Sequence, residues 1–341
     1  MKAVRFHAPG GVDVLRYEDA PDPVPGPGEA LVRVRACALN HLDLWQRRGI
    51  ERVRIPLPHI SGADVAGEVV EPGASGVASG ARVMLQPGLS CGRCRECLSG
   101  RDNECASYSV IGYMSDGGYA ELVKVPAANL IPLPGRIDFV HAAAFPLTFL
   151  TAWHMLVTRA ALRAGEEVLV LAAGSGVGQA AIQIATLHGA RVIATAGTDE
   201  KVARARELGA DEALNHHGED LPRRVRELTG GRGVDVVFEH VGQATWERSV
   251  KCLARGGRLV TCGATTGSQG NVDLRFLFGR QLSILGSYMG GKGELLQAVP
   301  FLLGGRLKPV VDRVFPLADA ARAQERLEAA GQFGKIVLAV E

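Results

Sequence analysis

The pattern of apolar and polar positions changes along the chain, and the change divides it in two. Up to about residue 148 the apolar residues come in short, Val-rich, alternating runs split by Pro and Gly. These are AVRFH (3–7), EALVRVRACAL (29–39), AGEVVEPG (66–73), ARVML (81–85) and YAELVKV (119–125). Period-two runs bounded by such breakers predict short strands of a β-rich domain. From about 149 to 288 the runs become continuous: VLVLAA (168–173), RVIATA (191–196), VDVVFEH (234–240), GRLVTCG (257–263) and QLSILGS (281–287). Segments of helical periodicity at 177–188, 199–208, 220–228 and 243–253 lie between them. That alternation predicts an α/β fold with a doubly wound parallel sheet. The tail is mixed, with a helix near 293–303, a strand at 310–315, a helix at 318–330 and a strand at 334–340.

The stretch EEVLVLAAGSGVG (166–178) organises the second half. It reads as a buried strand running into a glycine-rich turn (Gly174, Ser175, Gly176, Val177, Gly178) and then a helix. A dinucleotide pyrophosphate needs such a turn: its backbone N–H groups approach the phosphates, and the helix N-terminus adds partial positive charge. Many strand–helix turns carry glycines for tightness alone, so the turn takes its meaning from its context.

Composition narrows the classes of partner. A net charge of +2 gives no electrostatic case for nucleic acid or an anionic membrane. No apolar run reaches the roughly 18–20 residues that span a bilayer, and the N-terminus MKAVRFHAPGG lacks the apolar core of a secretory signal. Four of the seven cysteines fall in one cluster, Cys91-x2-Cys94-x2-Cys97-x7-Cys105. Clustered thiols of this kind fit metal ligation in a reducing, cytoplasmic setting better than a disulfide framework. Four thiolates close a tetrahedral Zn²⁺ site with no open position, which makes it structural; an iron–sulfur cluster also takes four cysteines. Cys37, Cys252 and Cys262 lie on or beside regular elements and read as small buried hydrophobes.

The order of a β-rich domain, a four-cysteine lobe, a nucleotide domain and a returning tail resembles the medium-chain dehydrogenase/reductase superfamily, which includes zinc alcohol dehydrogenases and quinone oxidoreductases. The resemblance covers nearly the whole chain and rests on the cysteine spacing, HISGADVAGEVVEPG (59–73), AAGSGVG (172–178) and GKIVL (334–338). It implies a GroES-like catalytic domain, 1–148 with 289–341, wrapped around a Rossmann domain, 149–288, with the active site in the cleft between them. By motif, the catalytic zinc ligands of the alcohol dehydrogenases fall at Asn40, at Ala63 and near Leu147, and the Glu that stands beside the ligand His falls at Asp64. Ala63 and Leu147 carry no ligand atom, and Asn40 is a poor neutral one. The expectation is therefore no conventional catalytic zinc. Asn40 with Asp43 three residues on is similar to the zinc-independent quinone oxidoreductase and enoyl reductase branch. A replacement metal site from His41, Asp43, His59 and Asp64 stays open. Against it, in a strand His41 and Asn40 would face opposite sides; His41 would then contact cofactor phosphate or solvent, and Asp43 and Asp64 would be supporting hydrogen-bonding residues.

Cofactor choice is read at the end of the second nucleotide-domain strand, where NAD-preferring sites place Asp or Glu on the ribose. Here the residues are Ala196, Gly197 and Thr198, with Lys201 and Arg204 following. Room, a hydroxyl and cations favour NADPH, with NADH use left open by Asp199. In the resemblance, Ala173, Ser175 and Gly178 take the three positions of G-x-G-x-x-G. The resemblance also implies that Thr151 touches the nicotinamide and that Lys335 pairs with a phosphate. His240-Val241-Gly242, Cys262-Gly263-Ala264 and Gly286-Ser287-Tyr288 end successive strands at the cofactor edge, and Trp45 lines the substrate pocket.

These residues lead to an NADPH-dependent reductase of a quinone or an α,β-unsaturated carbonyl, with one structural Zn²⁺ and Asn40 as donor to the developing oxyanion. Two alternatives accompany it: alcohol/aldehyde interconversion with a recruited metal, and a non-catalytic NADPH-binding sensor. QLSILGSYM (281–289) is apolar and β-prone, reads as an edge strand, and predicts a homodimer or homotetramer.

Overall fold

In a computed structural model that describes residues 1–218 and 220–341, the alternating middle of the chain forms one six-stranded sheet. Its spatial order is Glu212–Asn215, Arg191–Ala196, Glu167–Val170, Val234–Glu239, Leu253–Thr261 and Ser283–Gly286. Every neighbouring pair is parallel. In sequence terms the order is third, second, first, fourth, fifth, sixth, the Rossmann arrangement. Burial on both faces explains why these strands read as unbroken apolar runs: Leu169, Ile193, Val237 and Leu259 are all fully buried. The strand Glu212–Asn215 has no counterpart in the sequence reading, because only Ala213 and Leu214 are buried in its four residues. At the opposite edge lies Ser283–Gly286, as the pattern at 281–289 predicts.

The chain divides into two units. One holds Met1–Leu147, Gly291–Leu296 and Lys308–Glu341; the other holds Thr148–Gly290 and Gln297–Leu307. The helix Lys292–Leu303 is therefore shared, whereas the sequence reading keeps the whole tail with the β-rich part.

The first unit is built on a seven-stranded sheet. Its path runs Val311–Pro316, Lys335–Ala339, Glu29–Ala38, Asp64–Glu71, Arg82–Leu85 and Leu130–Pro132, with Leu122–Pro126 also paired to Glu29–Ala38. The C-terminal strand enters this sheet antiparallel to Glu29–Ala38, with Val337 opposite Ala38. On the other side Ala38 is opposite Asp64. Register thus gathers the starts of two strands and the end of a third, so that Asn40, Asp64 and Lys335 share one corner of the sheet. Just past that corner the chain turns into the helix His41–Arg48, and Asn40 is its N-cap in extended conformation. His41 is therefore the first residue of a helix and not part of a strand. Among the described residues no helix is long and apolar enough to cross a membrane.

Candidate active site

The sheet corner of the first unit holds a buried charge network. Lys335 and Asp64 are almost fully buried, and the Lys335 ammonium donates to Asp64 Oδ2 at 2.8 Å. It also donates to the Asn40 side-chain oxygen at 2.6 Å. Asn40 Nδ2 donates to the same Asp64 oxygen at 3.0 Å and makes a long 3.5 Å contact to Ala38 O. The other Asp64 oxygen accepts the Leu147 N–H at 2.7 Å. Two positions that cannot ligate a metal thus enter the network differently: Leu147 through its backbone, Ala63 not at all. A buried carboxylate and a buried ammonium are each costly alone, and mutual pairing with further hydrogen bonds is what makes them tolerable.

Asp43 lies beside this network and is also buried. Its Oδ2 accepts the Asn40 N–H at 2.8 Å and the Tyr119 hydroxyl at 2.9 Å. Burial outweighs these bonds and pushes its pKa up to about 6. Burial also pushes the Tyr119 hydroxyl well above its usual range, so Tyr119 stays a donor.

The proposed replacement ligands do not converge. His59 places Nε2 on the Gly112 carbonyl at 3.0 Å, Asp43 serves Asn40 and Tyr119, and Asp64 serves Lys335. His41 packs against Trp45, with ring centroids 6.3 Å apart. Trp45 itself is 37% exposed on the outer side of its helix. Lys335, expected on a cofactor phosphate, is corrected: its ammonium is buried and spent on Asp64 and Asn40.

One group of metal-binding character stands out among the described residues, and it is the cysteine cluster. The sulfurs of Cys91, Cys94, Cys97 and Cys105 all lie within 4.8 Å of one another. The Cys94–Cys97 and Cys91–Cys97 separations are 3.5 and 3.9 Å. A tetrahedron of thiolates around one zinc at 2.3 Å requires ~3.8 Å between sulfurs, so the set fits a single ion. Backbone N–H groups of Arg93 and Cys94 aim at the Cys91 sulfur and lower its pKa. The Cys91 N–H, with the Ser107 hydroxyl, brings Cys105 down to about 6. In the same cluster Cys94 is pushed up to about 12 beside the neighbouring cysteines, because four thiols this close compete for charge until a cation neutralises them.

In the second unit, the glycine turn lies between the Glu167–Val170 strand and the helix Gly176–Leu187. Ser175 caps that helix, its Oγ accepting the Gly178 N–H at 2.9 Å. The N–H groups of Gly176 and Val177, at the open end of the helix, have no acceptor among the described residues. Gly178 must be glycine: a Cβ there would lie 2.3 Å from the Ala172 carbonyl oxygen. Ala172 itself holds φ at +47°, a left-handed conformation that non-glycine residues adopt at a cost. Across the switch point, His240 Nε2 donates to Leu171 O at 3.0 Å and lies 3.4 Å from Ser175 Oγ. Burial lowers its pKa, which keeps the ring neutral. Val241, Gly263, Ala264 and Ser287 follow the carboxyl ends of the next strands. The Ser287 hydroxyl is buried and has no partner among the described residues, which leaves it available as a donor to a ligand. Thr151 is buried, with Oγ1 3.9 Å from the Met289 sulfur. Gly197 follows the Arg191–Ala196 strand, and Thr198 caps the next helix by accepting the Lys201 N–H.

Two contributors have no sequence signal. Glu239 is fully buried and accepts from the Val241 and Gly242 N–H groups (2.6 and 3.0 Å) and from the Thr245 and Ser249 hydroxyls (2.9 and 2.7 Å). It fixes the turn that carries His240. Tyr119, the partner of Asp43, arrives from a distant loop and is the other.

The second unit has the topology, the open helix terminus and the switch-point crevice of a nicotinamide-dinucleotide oxidoreductase. The family described as "Alcohol dehydrogenase GroES-like domain" matches residues 26–135, and "Zinc-binding dehydrogenase" matches 176–304. A quinone oxidoreductase of Pseudomonas aeruginosa is 34% identical over 99% of both chains. A solved "NAD-dependent alcohol dehydrogenase" is 51% identical over 100% of both chains, with a TM-score of 0.97. A cobalt- and zinc-bound thermostable alcohol dehydrogenase from Pyrobaculum aerophilum is 37% identical over 99% of both, with a TM-score of 0.90. The chain belongs to the medium-chain dehydrogenase/reductase superfamily and is an NAD(P)H-dependent oxidoreductase.

Two tests follow from the geometry. Metal analysis of the purified protein returns one zinc per chain, and Cys94→Ser loses it together with thermal stability; two zincs in the wild type would require a second site in the first unit. The raised pKa of Asp43 means that the folded state holds a proton the unfolded chain has released between pH 4 and about 6. Stability therefore falls as pH rises through that window and then levels off. In Asp43→Asn this decline is absent, as read by denaturant melts at pH 4, 5, 6 and 7; an unchanged decline would assign it to other groups.

Proposed function

We propose that the protein reduces a quinone or an α,β-unsaturated carbonyl, with NADPH preferred and without a catalytic metal. The observation that carries this reading is the Lys335 ammonium bonded to both Asn40, where the family's first metal ligand falls by motif, and Asp64, where the Glu beside the ligand His falls. When bound, the reduced nicotinamide supplies the hydride.

The chain's own residues do the rest. Asn40 is oriented by three partners: Lys335 on its oxygen, Asp64 on one N–H, and the helix it caps. The cation on the amide oxygen draws electrons from the nitrogen and strengthens the remaining N–H as a donor. That N–H has only the long Ala38 contact to give up. A carbonyl oxygen placed against Asn40 gains a hydrogen bond as it becomes an oxyanion. Conjugated acceptors spread the incoming charge, so one strengthened donor serves where a simple ketone would call for a Lewis acid. In the second unit, the N–H groups of Gly176 and Val177 hold phosphate oxygens, and the Ser287 hydroxyl offers a further donor to the cofactor.

NADP(H) is favoured because Ala196, Gly197 and Thr198, at the end of the Arg191–Ala196 strand, carry no carboxylate to set against a 2′-phosphate. Asp199, the nearest acid in sequence, has one oxygen engaged by Asn215 Nδ2 at 2.8 Å. The 51% identity to an NAD-dependent alcohol dehydrogenase favours a second reading, alcohol oxidation with NAD.

Quinone reduction with NADPH survives dialysis against a chelator that leaves the structural zinc in place. Asn40→Ala lowers kcat on the order of 100-fold, with the melting temperature reported alongside. Failure to reduce any quinone or enone with either cofactor, together with metal-stimulated alcohol oxidation, would sink the reading in favour of the second.

The protein self-associates through the exposed edge strand Ser283–Gly286, flanked by Tyr288, which is 56% exposed. Ile284→Lys shifts sedimentation toward the monomer; a wild type that sediments as a monomer at micromolar concentration refutes the interface.

A further inference from the structure

The end of the second nucleotide strand is covered by two histidines that the reaction does not use. After the strand Glu212–Asn215 the chain continues directly into His216 and His217. Their rings pack edge to face, with centroids 4.5 Å apart. Both turn the same atom toward Gly197. A side chain begun at Gly197 would place its Cβ 3.2 Å from His217 Nε2 and 3.4 Å from His216 Nε2. The spot where a dinucleotide fold commonly places an acid on the ribose carries no side chain of its own, and two imidazole nitrogens close over it.

From this geometry we infer that His216 and His217 form a proton-dependent reader of the ribose 2′-phosphate, so that preference for NADP(H) over NAD(H) rises as pH falls. The inference rests on the NADP(H) reading above and deepens it. A neutral imidazole offers one N–H, which must be on Nε2 to serve; a protonated one offers that N–H together with a positive charge. A 2′-hydroxyl gains little from the change, whereas a phosphate gains a charge-assisted hydrogen bond.

The charged surroundings set the direction. Arg248, on the helix Trp246–Lys251, is close enough to act on His216 through its charge, and the His217 ring packs against that of His216. Asp199 is held by Asn215 at the strand end, and Lys201 follows it in the same helix. Asp220 caps the next helix and accepts the Arg223 N–H. Burial first, then the neighbouring His217 ring and Arg248, lowers the His216 pKa in the free protein. A phosphate placed between the rings and Arg248 opposes that depression, so binding draws a proton onto the pair. Phosphate recognition and protonation are then linked: each strengthens the other.

The test is calorimetric and needs no turnover. The holo-zinc protein is titrated with 2′,5′-ADP and with 5′-AMP at pH 6.5, 7.5 and 8.5, in buffers of different ionisation enthalpy. The expected result is that 2′,5′-ADP binds more tightly than 5′-AMP, that its affinity weakens several-fold up to roughly tenfold per pH unit, and that binding takes up protons. The phosphate's own titration near pH 6 acts in the opposite sense, because it releases charge on the acid side. In His216→Gln/His217→Gln, checked by circular dichroism and melting temperature, the proton uptake disappears and the advantage of 2′,5′-ADP becomes nearly independent of pH. Tight 2′,5′-ADP binding with no proton uptake in the wild type, or with uptake unchanged in the variant, overturns the histidine reader and leaves NADP(H) preference standing. Weaker binding of 2′,5′-ADP than of 5′-AMP at every pH overturns both.

Discussion

The structure of the first unit turns on one requirement: a lysine ammonium buried beside a sheet must be fully partnered. Lys335 meets it with Asp64 and Asn40, which lie 271 and 295 residues away in sequence. Removing one partner of a buried pair costs about 3–5 kcal/mol, whereas an exposed pair is worth about 0–1 kcal/mol. The many surface arginine pairs, such as Arg232 with Glu167 and Asp235, therefore weigh little against this single interaction. It closes the sheet by tying the last strand to the first long one. It also sets the orientation of the Asn40 amide, the group proposed above to act on a substrate oxygen. Fold and candidate chemistry share one interaction.

The second unit answers a different constraint. Parallel strands bring all their carboxyl ends to one edge, and the reversal of strand order between Glu167–Val170 and Val234–Glu239 opens a crevice there. The turn after each strand must present backbone groups while staying rigid. On one side Ser175 provides this by capping its helix; on the other, Glu239 provides it with four hydrogen bonds from the turn and helix that follow. Neither residue needs to touch the reacting atoms to matter. A displaced His240 would release Leu171 O and disturb the turn opposite.

The periodic parts of this architecture were readable from residues alone. Continuous apolar runs announced the parallel sheet, because burial on both faces leaves no polar alternation. Gly178 and the four cysteines were readable because close approach and ligation admit few residue types. The Glu212–Asn215 strand was not, since four residues with two buried side chains carry no period. The role of Lys335 was misread for a related reason. A lysine near the chain terminus looks like a phosphate contact, and nothing local says that strand register will bury it against Asp64. Asn40 beside His41 looked like a strand; the Asp43 carboxylate on the Asn40 N–H makes the pair the start of a helix instead. Long-range pairings such as Tyr119 with Asp43 leave no trace in a single sequence.

Overall likeness does not decide the chemistry, because alcohol dehydrogenases and quinone oxidoreductases resemble this chain over nearly its full length. The charge at the sheet corner is the sharper criterion. Asp64 is neutralised by Lys335 at 2.8 Å. Two like unit charges 4 Å apart near a protein surface repel by about 4 kcal/mol, and a divalent cation doubles that. A metal approaching Asp64 would meet this repulsion, or would have to expel the lysine from a pocket where its other partner is an amide oxygen. Ala63 and Leu147 supply no side-chain ligand to offset either cost. The same ammonium that repels a metal polarises Asn40 without being consumed or displaced. A fixed monocation acting through an amide is a weaker electrophile than a metal ion. Such an electrophile suits acceptors that stabilise their own negative charge, which is the physical basis of the proposed preference for conjugated carbonyls.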